Sequence, residues 1–572
     1  MNDWLPKSIL CLREYNRHKF LSDLIAGVTV GLVALPLCMA FAIASGDSPQ
    51  TGIYCGIITG FFISALGGST TQDGGPTGAF VVVVAGIVAQ HGIAGLYMCT
   101  MMAGVMLALL GATGMGTAVK FFPRPVVLGF TNGIALLIAS TQFKDFFGLK
   151  VDHVPVEFLA RLESIGRLFS TLSPVATALG AIALAVILLV NRFLRRVPGT
   201  IIALFLGTAA VVIFHLKVET IGTRFGGIPA GLPALHLPPF RLDLFPVLFM
   251  PALTVAMLGA IESLMSAIVA DRMTRDKHNP NVELVAQGVA NVVSPLFGGL
   301  PATGAIARTA ASIRSGAQTP VAGMIHSLTL LGVLMFGVSL ARFIPLTVLS
   351  AILFVVAYNM GEWREIPLIL KLTKSDISVW AITFALTVFA DLTIAVQVGM
   401  VLAALLYVGK VTTTTTVSRV TDDYVEDGRV HILQDKEIPD YATVFRIHGP
   451  FLFGATDKIA EITDHINDLP PIVLLRLRNM TAMDATGLQA LEELADKLHA
   501  SGRTMILCGA REQPARLMHK AEFEQHVGIE NICPNVQVAL QRAAQLYKAF
   551  YAAPGHDRRK SRSPAPAKGA SA

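Results

Sequence analysis

Over the first 410 residues, apolar side chains fall in runs too long and too continuous for the surface of a soluble protein. A helix crossing a hydrocarbon core of about 30 Å needs roughly 20 residues at 1.5 Å each. On that measure the pattern predicts spans near 23–43, 50–66, 93–112, 123–141, 173–191, 198–215, 246–269, 282–297, 319–340, 346–359, 376–390 and 393–410. Two further runs, 76–89 (PTGAFVVVVAGIVA) and 301–313 (PATGAIARTAASI), reach only about 20 Å as helices and should not cross alone. With them, fourteen membrane elements are expected. From about Tyr441 the period changes. ATVFRI (442–447), IVLLRL (472–477) and TMILCG (504–509) read as strands, with helices from about Thr456 to Asn467 and Gly487 to Ala500 between them. The second helix carries Leu488, Leu491, Leu494, Ala495 and Leu498 on one face and should pack on the sheet. The expected organisation is a cytoplasmic segment 1–22, a transmembrane domain 23–411, a linker 412–440, an α/β domain 441–547 and a basic disordered tail 548–572.

Composition agrees with this division. Residues 421–550 hold 32 of the 84 charged side chains, whereas 53% of the whole chain is hydrophobic. This excludes a disordered, collagenous or wholly soluble protein. The net charge of +6 suggests a nucleic-acid partner only until it is located: Arg558, Arg559, Lys560, Arg562 and Lys568 put most of it in the Ser-, Pro- and Ala-rich tail. Cys11, Cys38, Cys55, Cys99, Cys508 and Cys533 form no CxxC pair, so they read as small apolar residues and no metal site is expected. Basic residues Lys7, Arg13, Arg17 and Lys19 precede a first run too long for a cleavable signal. Lys120, Arg124, Arg192, Arg195, Arg196, Arg272, Arg275, Lys277, Arg364, Lys371 and Lys374 then fall in alternate loops, which places both termini in the cytoplasm. The exception is 143–170, where Lys144, Lys150, Arg161 and Arg167 mix with Asp145, Asp152, Glu157 and Glu163 as an interfacial or loop stretch.

The two short elements open alike, with Gly74-Gly75-Pro76-Thr77-Gly78-Ala79 in one and Gly298-Gly299-Leu300-Pro301-Ala302-Thr303-Gly304-Ala305 in the other. They are the third and tenth elements, so two seven-element halves would lie in opposite orientation. Inverted repeats with interrupted helices at matching positions are a transporter pattern. Pro suits a first helical turn, Gly leaves N–H groups accessible, and two facing N-termini offer partial positive charge to an anion. Thr77 and Thr303 are candidate hydroxyl donors. The plainer alternative is that Gly, Pro and Thr only make loops. Glu262 is the sole charged residue between 244 and 270, with Ser263 and Ser266 close by. A buried carboxylate in a span costs roughly 2.5 kcal/mol or more unless it meets a cavity, a cation or a proton source. It therefore reads as a proton or Na+ site, or as a structural acid bonded to a neighbouring helix. Arg308, inside the second half-helix, either draws anions inward or snorkels to the inner surface. In the soluble domain, Thr486 with Gln489 fits a capping box ahead of the central helix. No catalytic cluster, Walker loop or GxGxxG is present, so an enzyme is not expected.

GLVALPLCMAFAIASG (31–46), GPTGAFVVVV (75–84), LGAIESLMSAIVADRMT (258–274), NPNVELVAQGVANVVSPLFGGLPATGAIARTA (279–310) and GAQTPVAGMIHSLTLL (316–331) closely resemble the SulP inorganic anion transporters, bacterial relatives of the solute carrier 26 proteins. The C-terminal domain resembles their STAS domain, including an Asp-x-[Ser/Thr]-Gly turn at 484–487. The resemblance implies a 7+7 inverted repeat like that of uracil permeases, core and gate subdomains, an elevator movement and a homodimer. It implies an anion site at Thr77, Gly78, Ala79, Ala302, Thr303 and Gly304, with Leu37, Cys38 and Phe41 of the first span and Arg308 nearby. It places the coupling ion at Glu262 with Ser266, Glu tilting the choice from Na+ toward H+. Thr486 matches a regulatory phosphorylation position of soluble relatives, although Ala485 departs from the Ser that some of those carry. The function so implied is proton-coupled uptake of sulfate across the inner membrane, with sodium-coupled bicarbonate or proton-coupled C4-dicarboxylate as alternatives. A different class, a membrane-anchored STAS signalling or scaffold protein, would need a cytosolic partner and no pathway. No cofactor and no nucleic acid is implied.

Overall fold

The computed structural model describes the chain except residues 1–3, 13–14, 118–122, 151–154, 156, 195–197, 229–230, 232–234, 236, 238–241, 391, 420–437 and 552–572. Lys120, Asp152, Arg195, Arg196 and Asp391, most of the expected linker and the tail from 552 onward lie outside the described residues. The chain divides into two compact units, Met1–Ala403 and Ala404–Ala572.

The first unit is helical, and its principal helices are α1 (Arg17–Ala44), α2 (Pro49–Leu66), α3 (Gly78–Ala112), α4 (Arg124–Phe147), α5 (Phe158–Arg167), α6 (Pro174–Phe193), α7 (Gly199–Phe214), α8 (Phe245–Thr274), α9 (Pro280–Val293), α10 (Ile306–Arg314), α11 (Val321–Phe336), α12 (Leu346–Met360), α13 (Lys374–Phe389) and α14 (Leu392–Thr414). Proline opens α2, α6 and α9, where its missing N–H costs no intrahelical bond. The third and fourth expected elements are joined as α3, which turns at Gly92 (φ 68°), a left-handed position that glycine adopts without strain. The expected ninth span stops early. Its helix ends at Val293, and a 3-10 turn, Ser294–Phe297, carries the chain back because Pro295 cannot continue the ladder. The expected half-helix 301–313 also begins late, at Ile306, since Thr303 and Gly304 are spent in an extended pairing. The mixed-charge stretch after Phe143 resolves into the end of α4 and the amphipathic α5. Arg161 is buried there, and its guanidinium donates to Ser140 Oγ at 2.8 Å and to the Pro155 carbonyl at 3.0 Å.

The helices pack in two groups. In one, α3 lies against α8 and α9, and α1 and α2 lie against each other and against α11. Gly104 and Gly288 allow a close crossing of α3 and α9: a Cβ on Gly288 would come within 2.6 Å of the Gly104 carbonyl oxygen. In the other, α4 packs on α12 and α13, and α6 on α7 and α12. Contacts across the seam come mainly from α1 and α3 against α4, α7 and α12.

The second unit holds a five-stranded sheet in the order β3 (Thr416–Arg419), β4 (Ala442–Phe451), β5 (Ile472–Met483), β6 (Thr504–Cys508), β7 (Ile532–Cys533). β3 runs antiparallel to β4 and the remaining neighbours are parallel. The side chains alternate: Val473, Leu475 and Leu477 pack with Leu491 and Leu498 of α15 (Ala485–Ala500), while Ile472 and Leu474 pack with Val536 and Ala539 of α16 (Val536–Tyr551). The expected helix 456–467 is a 3-10 segment, Phe453–Ile459, followed by a short helix, Ala460–Asp464. The capping box expected from Thr486 and Gln489 is corrected. β5 extends to Met483, so Asp484 becomes the N-cap, its Oδ1 accepting from Gly487 N at 2.8 Å and its Oδ2 from Phe453 N at 3.0 Å. Thr486 lies in the first turn, exposed.

Candidate anion site at the paired half-helices

The two similar openings meet. β1 (Gly74–Gly75) pairs antiparallel with β2 (Thr303–Gly304), Gly74 opposite Gly304 and Gly75 opposite Thr303. Two short ribbons entering from opposite sides and pairing in this way bring the starts of α3 and α10 together, as an inverted repeat requires. Neither start has a side-chain cap. Thr77 is the N-cap of α3 and Ala305 of α10, and no side chain accepts from the first-turn N–H groups of either. Apart from Phe80 N, which donates to the Thr77 carbonyl at 3.3 Å, these groups are left available for an anion.

The surrounding residues fix this geometry from α8 and α9. Thr77 Oγ1 donates to Glu262 Oε2 at 2.9 Å, and Thr303 Oγ1 donates to the Gly259 carbonyl at 3.0 Å. Residues 259 and 262 are one helical turn apart, so α8 is stitched to both openings and both hydroxyl protons are engaged within the protein. Ala302 is held by Asn291, which accepts from its N–H at 2.9 Å and donates to its carbonyl at 2.8 Å. A side-chain amide thus imitates a strand partner for one residue. Ser266 donates to Thr309 Oγ1 at 3.0 Å, so its hydroxyl proton goes to α10 and not toward Glu262. Gln72 presses on Gly304, where a Cβ would leave its amide nitrogen 1.8 Å away.

Arg308 does not snorkel. It is 3% exposed, and its guanidinium turns back over Gly75, with Nη2 donating to the Pro76 carbonyl at 3.0 Å. Nη1 is buried with no hydrogen-bond acceptor. A Cβ on Gly75 would lie 2.6 Å from Nη1, so this approach requires glycine at that position. The Cys38 thiol lies within reach of the same guanidinium. Phe41, Ile138 and Met360 face Gly78, each within about 3.4 Å of where a Cβ would stand. Ala79 is buried in the first turn of α3, and Leu37 is partly buried at the edge of the apolar core. Thr77, Gly78, Phe41, Cys38, Glu262, Thr303 and Arg308 therefore converge, whereas Ser266 sits behind them and Thr486 belongs to the other unit.

Sequence reasoning missed Asn291, Thr309, Asp73 and His326, all buried around the openings. His326 is the one ionisable side chain of an apolar run, the signal that singled out Glu262, whereas Asp73 closes the polar run 69–73, Thr309 follows Arg308, and Asn291 shares its helix with Glu283 and Gln287.

Fold and site together define a multi-pass membrane anion transporter with a 7+7 inverted repeat and a C-terminal STAS domain. The chain belongs to the sulfate permease family, whose model matches residues 20–383, and the STAS domain model matches residues 434–539. It is 40% identical over 519 residues to the Bacillus subtilis (strain 168) protein named "Putative sulfate transporter YvdB", covering 90% of this chain and 96% of that one. It is 31% identical over 533 residues to the bicarbonate transporter BicA of Synechocystis sp., covering 91% and 94%. Among solved structures, the transmembrane domain of a cyanobacterial BicA matches 68% of this chain and 98% of its own, at 34% identity and a TM-score of 0.59. Murine Slc26a9 in the inward-facing state matches 95% of this chain and 94% of its own, with a TM-score of 0.84; at 16% identity this shows the fold alone.

Proposed function

We propose that this chain is a secondary active transporter that carries sulfate together with protons across the inner membrane, as a homodimer with both termini in the cytoplasm. The observation that carries the reading is Arg308. A guanidinium 3% exposed, with Nη1 unpartnered at the junction of two uncapped helix starts, is costly unless an anion completes it. Sulfate offers several acceptor oxygens and a double charge to that set. A membrane anchor for a signalling domain needs neither the ribbon nor the buried arginine, which weighs against the scaffold reading.

Coupling follows from charge. Glu262 accepts from Thr77 at one opening and lies within electrostatic reach of Arg308, so in a medium of low dielectric it competes with a bound anion for that guanidinium unless a proton or further cation joins it. Glu262 is the residue we assign to proton uptake. The elevator reading rests on the packing division. The ribbon, Glu262 and Arg308 belong to the group containing α1–α3 and α8–α11, while Ile138 and Met360, which face Gly78, come from α4 and α12 of the other group. An anion held on the first group would travel with it past an apolar wall. A second reading, bicarbonate carried with sodium, is favoured by the likeness to bicarbonate transporters at 31% and 29% identity.

Purified protein in liposomes, given labelled sulfate under an imposed pH or sodium gradient, separates these readings. Sulfate accumulation driven by an inward proton gradient is the expected result. Accumulation of labelled bicarbonate driven only by sodium would replace the first reading with the second.

A further inference from the structure

Behind the second opening lies a carboxylate and imidazole pair that the site above does not use. His326, in the middle of α11, is 0% exposed, and Asp73, directly before β1, is 1% exposed. Their Nδ1 and Oδ1 atoms are 2.6 Å apart. An ionised carboxylate can only accept, so His326 Nδ1–H donates, and whenever the ring carries a single proton its lone pair lies at Nε2. Nε2 and Asp73 Oδ2 both lack hydrogen-bond partners, as do both polar atoms of the adjacent Gln72 side chain. In the loop leading from the end of α2 to Asp73, Ser69 Oγ and Thr71 Oγ1 are likewise buried and unpartnered. Buried polar atoms without partners thus collect in the segment 69–73 and at the His326 ring that Asp73 meets.

Asp73 is also joined to the half-helix it stands behind. Its N–H donates to Thr309 Oγ1 at 3.0 Å and its carbonyl accepts from Ala305 N at 2.8 Å, so its backbone holds the start of α10. Thr309 in turn accepts from Ser266, four residues along α8 from Glu262. On the elements packed around His326, the titratable side chains beyond the first turn of α1 are Asp23 and Cys38 of α1, Tyr54 and Cys55 of α2, and Asp73. Asp23 is already engaged, accepting from Gln318 N, Thr319 N and Thr319 Oγ1 at the start of α11. α10, which Asp73 holds, adds Arg308 and Arg314. Asp73 is thus the carboxylate left to balance a charged His326.

We propose that Asp73 and His326 form a second proton-binding site of the transport cycle, beside the one assigned to Glu262. The proton adds to the lone pair of His326 Nε2, and the resulting imidazolium is balanced by the Asp73 carboxylate through the existing Nδ1–H···Oδ1 bond. Two bases in one helix group allow a doubly charged anion to be met by more than one proton. The proposal rests on the proton-coupled reading.

The test is the number of protons taken up per sulfate bound by the full-length protein in detergent, measured by calorimetry in buffers of different ionisation heat. It compares the parent with Glu262→Gln, His326→Gln and the double variant. Gln at 326 can still donate to Asp73 but cannot take a proton. Each single variant is expected to lose part of the parent's proton uptake and the double variant all of it. Asp73→Asn, which leaves the backbone bonds to α10 in place, should match His326→Gln and serves if that variant does not fold. If uptake falls only in Glu262→Gln, with His326→Gln binding sulfate and protons as the parent does, the second site is overturned and the reading of Glu262 stands. A parent that binds sulfate with no proton uptake, or binds none, overturns both.

Discussion

Three helix starts in this chain contrast instructively. In the STAS unit, α15 begins with its own acid: Asp484 accepts from Gly487 N, and the first turn has no need of a ligand. In the membrane unit, α3 and α10 begin without any side-chain cap, facing one another across a two-residue ribbon, with the buried guanidinium of Arg308 beside them. The central helix of the soluble unit thus satisfies its orphan N–H groups locally. The membrane unit keeps two sets unsatisfied at one point, and its neighbouring side chains are bonded so as to leave them so. Thr77, the residue placed to cap α3, accepts from none of its first N–H groups and donates to Glu262, and Thr303 donates to the Gly259 carbonyl. Two uncapped starts meeting beside a buried guanidinium mark the site.

The strongest way to test this contrast is Glu262→Gln, which imitates the protonated acid and keeps a partner for Thr77. Exchange of sulfate against sulfate in liposomes should persist, while accumulation driven by a pH gradient should vanish. A variant that still concentrates sulfate as the parent does would make Glu262 structural. Next in size is Arg308→Gln. If two uncapped starts alone held the anion, affinity would change little; the buried guanidinium predicts a loss of about 1.5–3 kcal/mol, roughly ten- to hundred-fold, as for hydrogen bonds to charged groups. Competition of unlabelled sulfate against labelled sulfate reads this out.

The threonines should separate more finely. Thr303→Val leaves the Gly259 carbonyl without its donor and loosens β2 against α8, so affinity should fall by about 1 kcal/mol, several-fold. Thr77→Val removes the donor to Glu262. Its main effect should therefore be a displaced pH dependence of uptake, because the residue assigned to proton uptake loses its hydrogen-bond partner. Rate profiles against pH for both variants, with equal shifts in each, would contradict the division of roles.

Both openings were legible because Gly, Pro and Thr stand together twice at matching places, and Glu262 and Arg308 because each is a charge where none belongs. What could not be read was pairing. Asp73 and His326 are 253 residues apart, and Asn291 acts on Ala302 only because a 3-10 turn brings the chain back. The threonine hydroxyls stand at the two openings, but their direction depends on α8, whose register against the ribbon no local pattern encodes. The length of the tenth element was overestimated because PATGA reads as a helix start, while its residues are extended by pairing with β1. The same effect misplaced the cap in the STAS unit: β5 outruns its hydrophobic signal, ends at Met483 with both backbone groups held by Gln513, and leaves the N-cap to Asp484.

The smallest expected effect comes from undoing that cap. Asp484→Ala exposes the first N–H groups of α15 and releases Phe453 N, which should cost about 1 kcal/mol at the helix start. Hydrogen exchange across residues 485–488 should quicken by about five-fold, while Thr486→Ala, an exposed residue inside the first turn, should leave it nearly unchanged. Sulfate affinity should not move in either variant. An uncapped helix start by itself, without a second start and a buried arginine, is not an anion site, and a new sulfate-binding event in Asp484→Ala would show that the difference between the two units lies only in the cap.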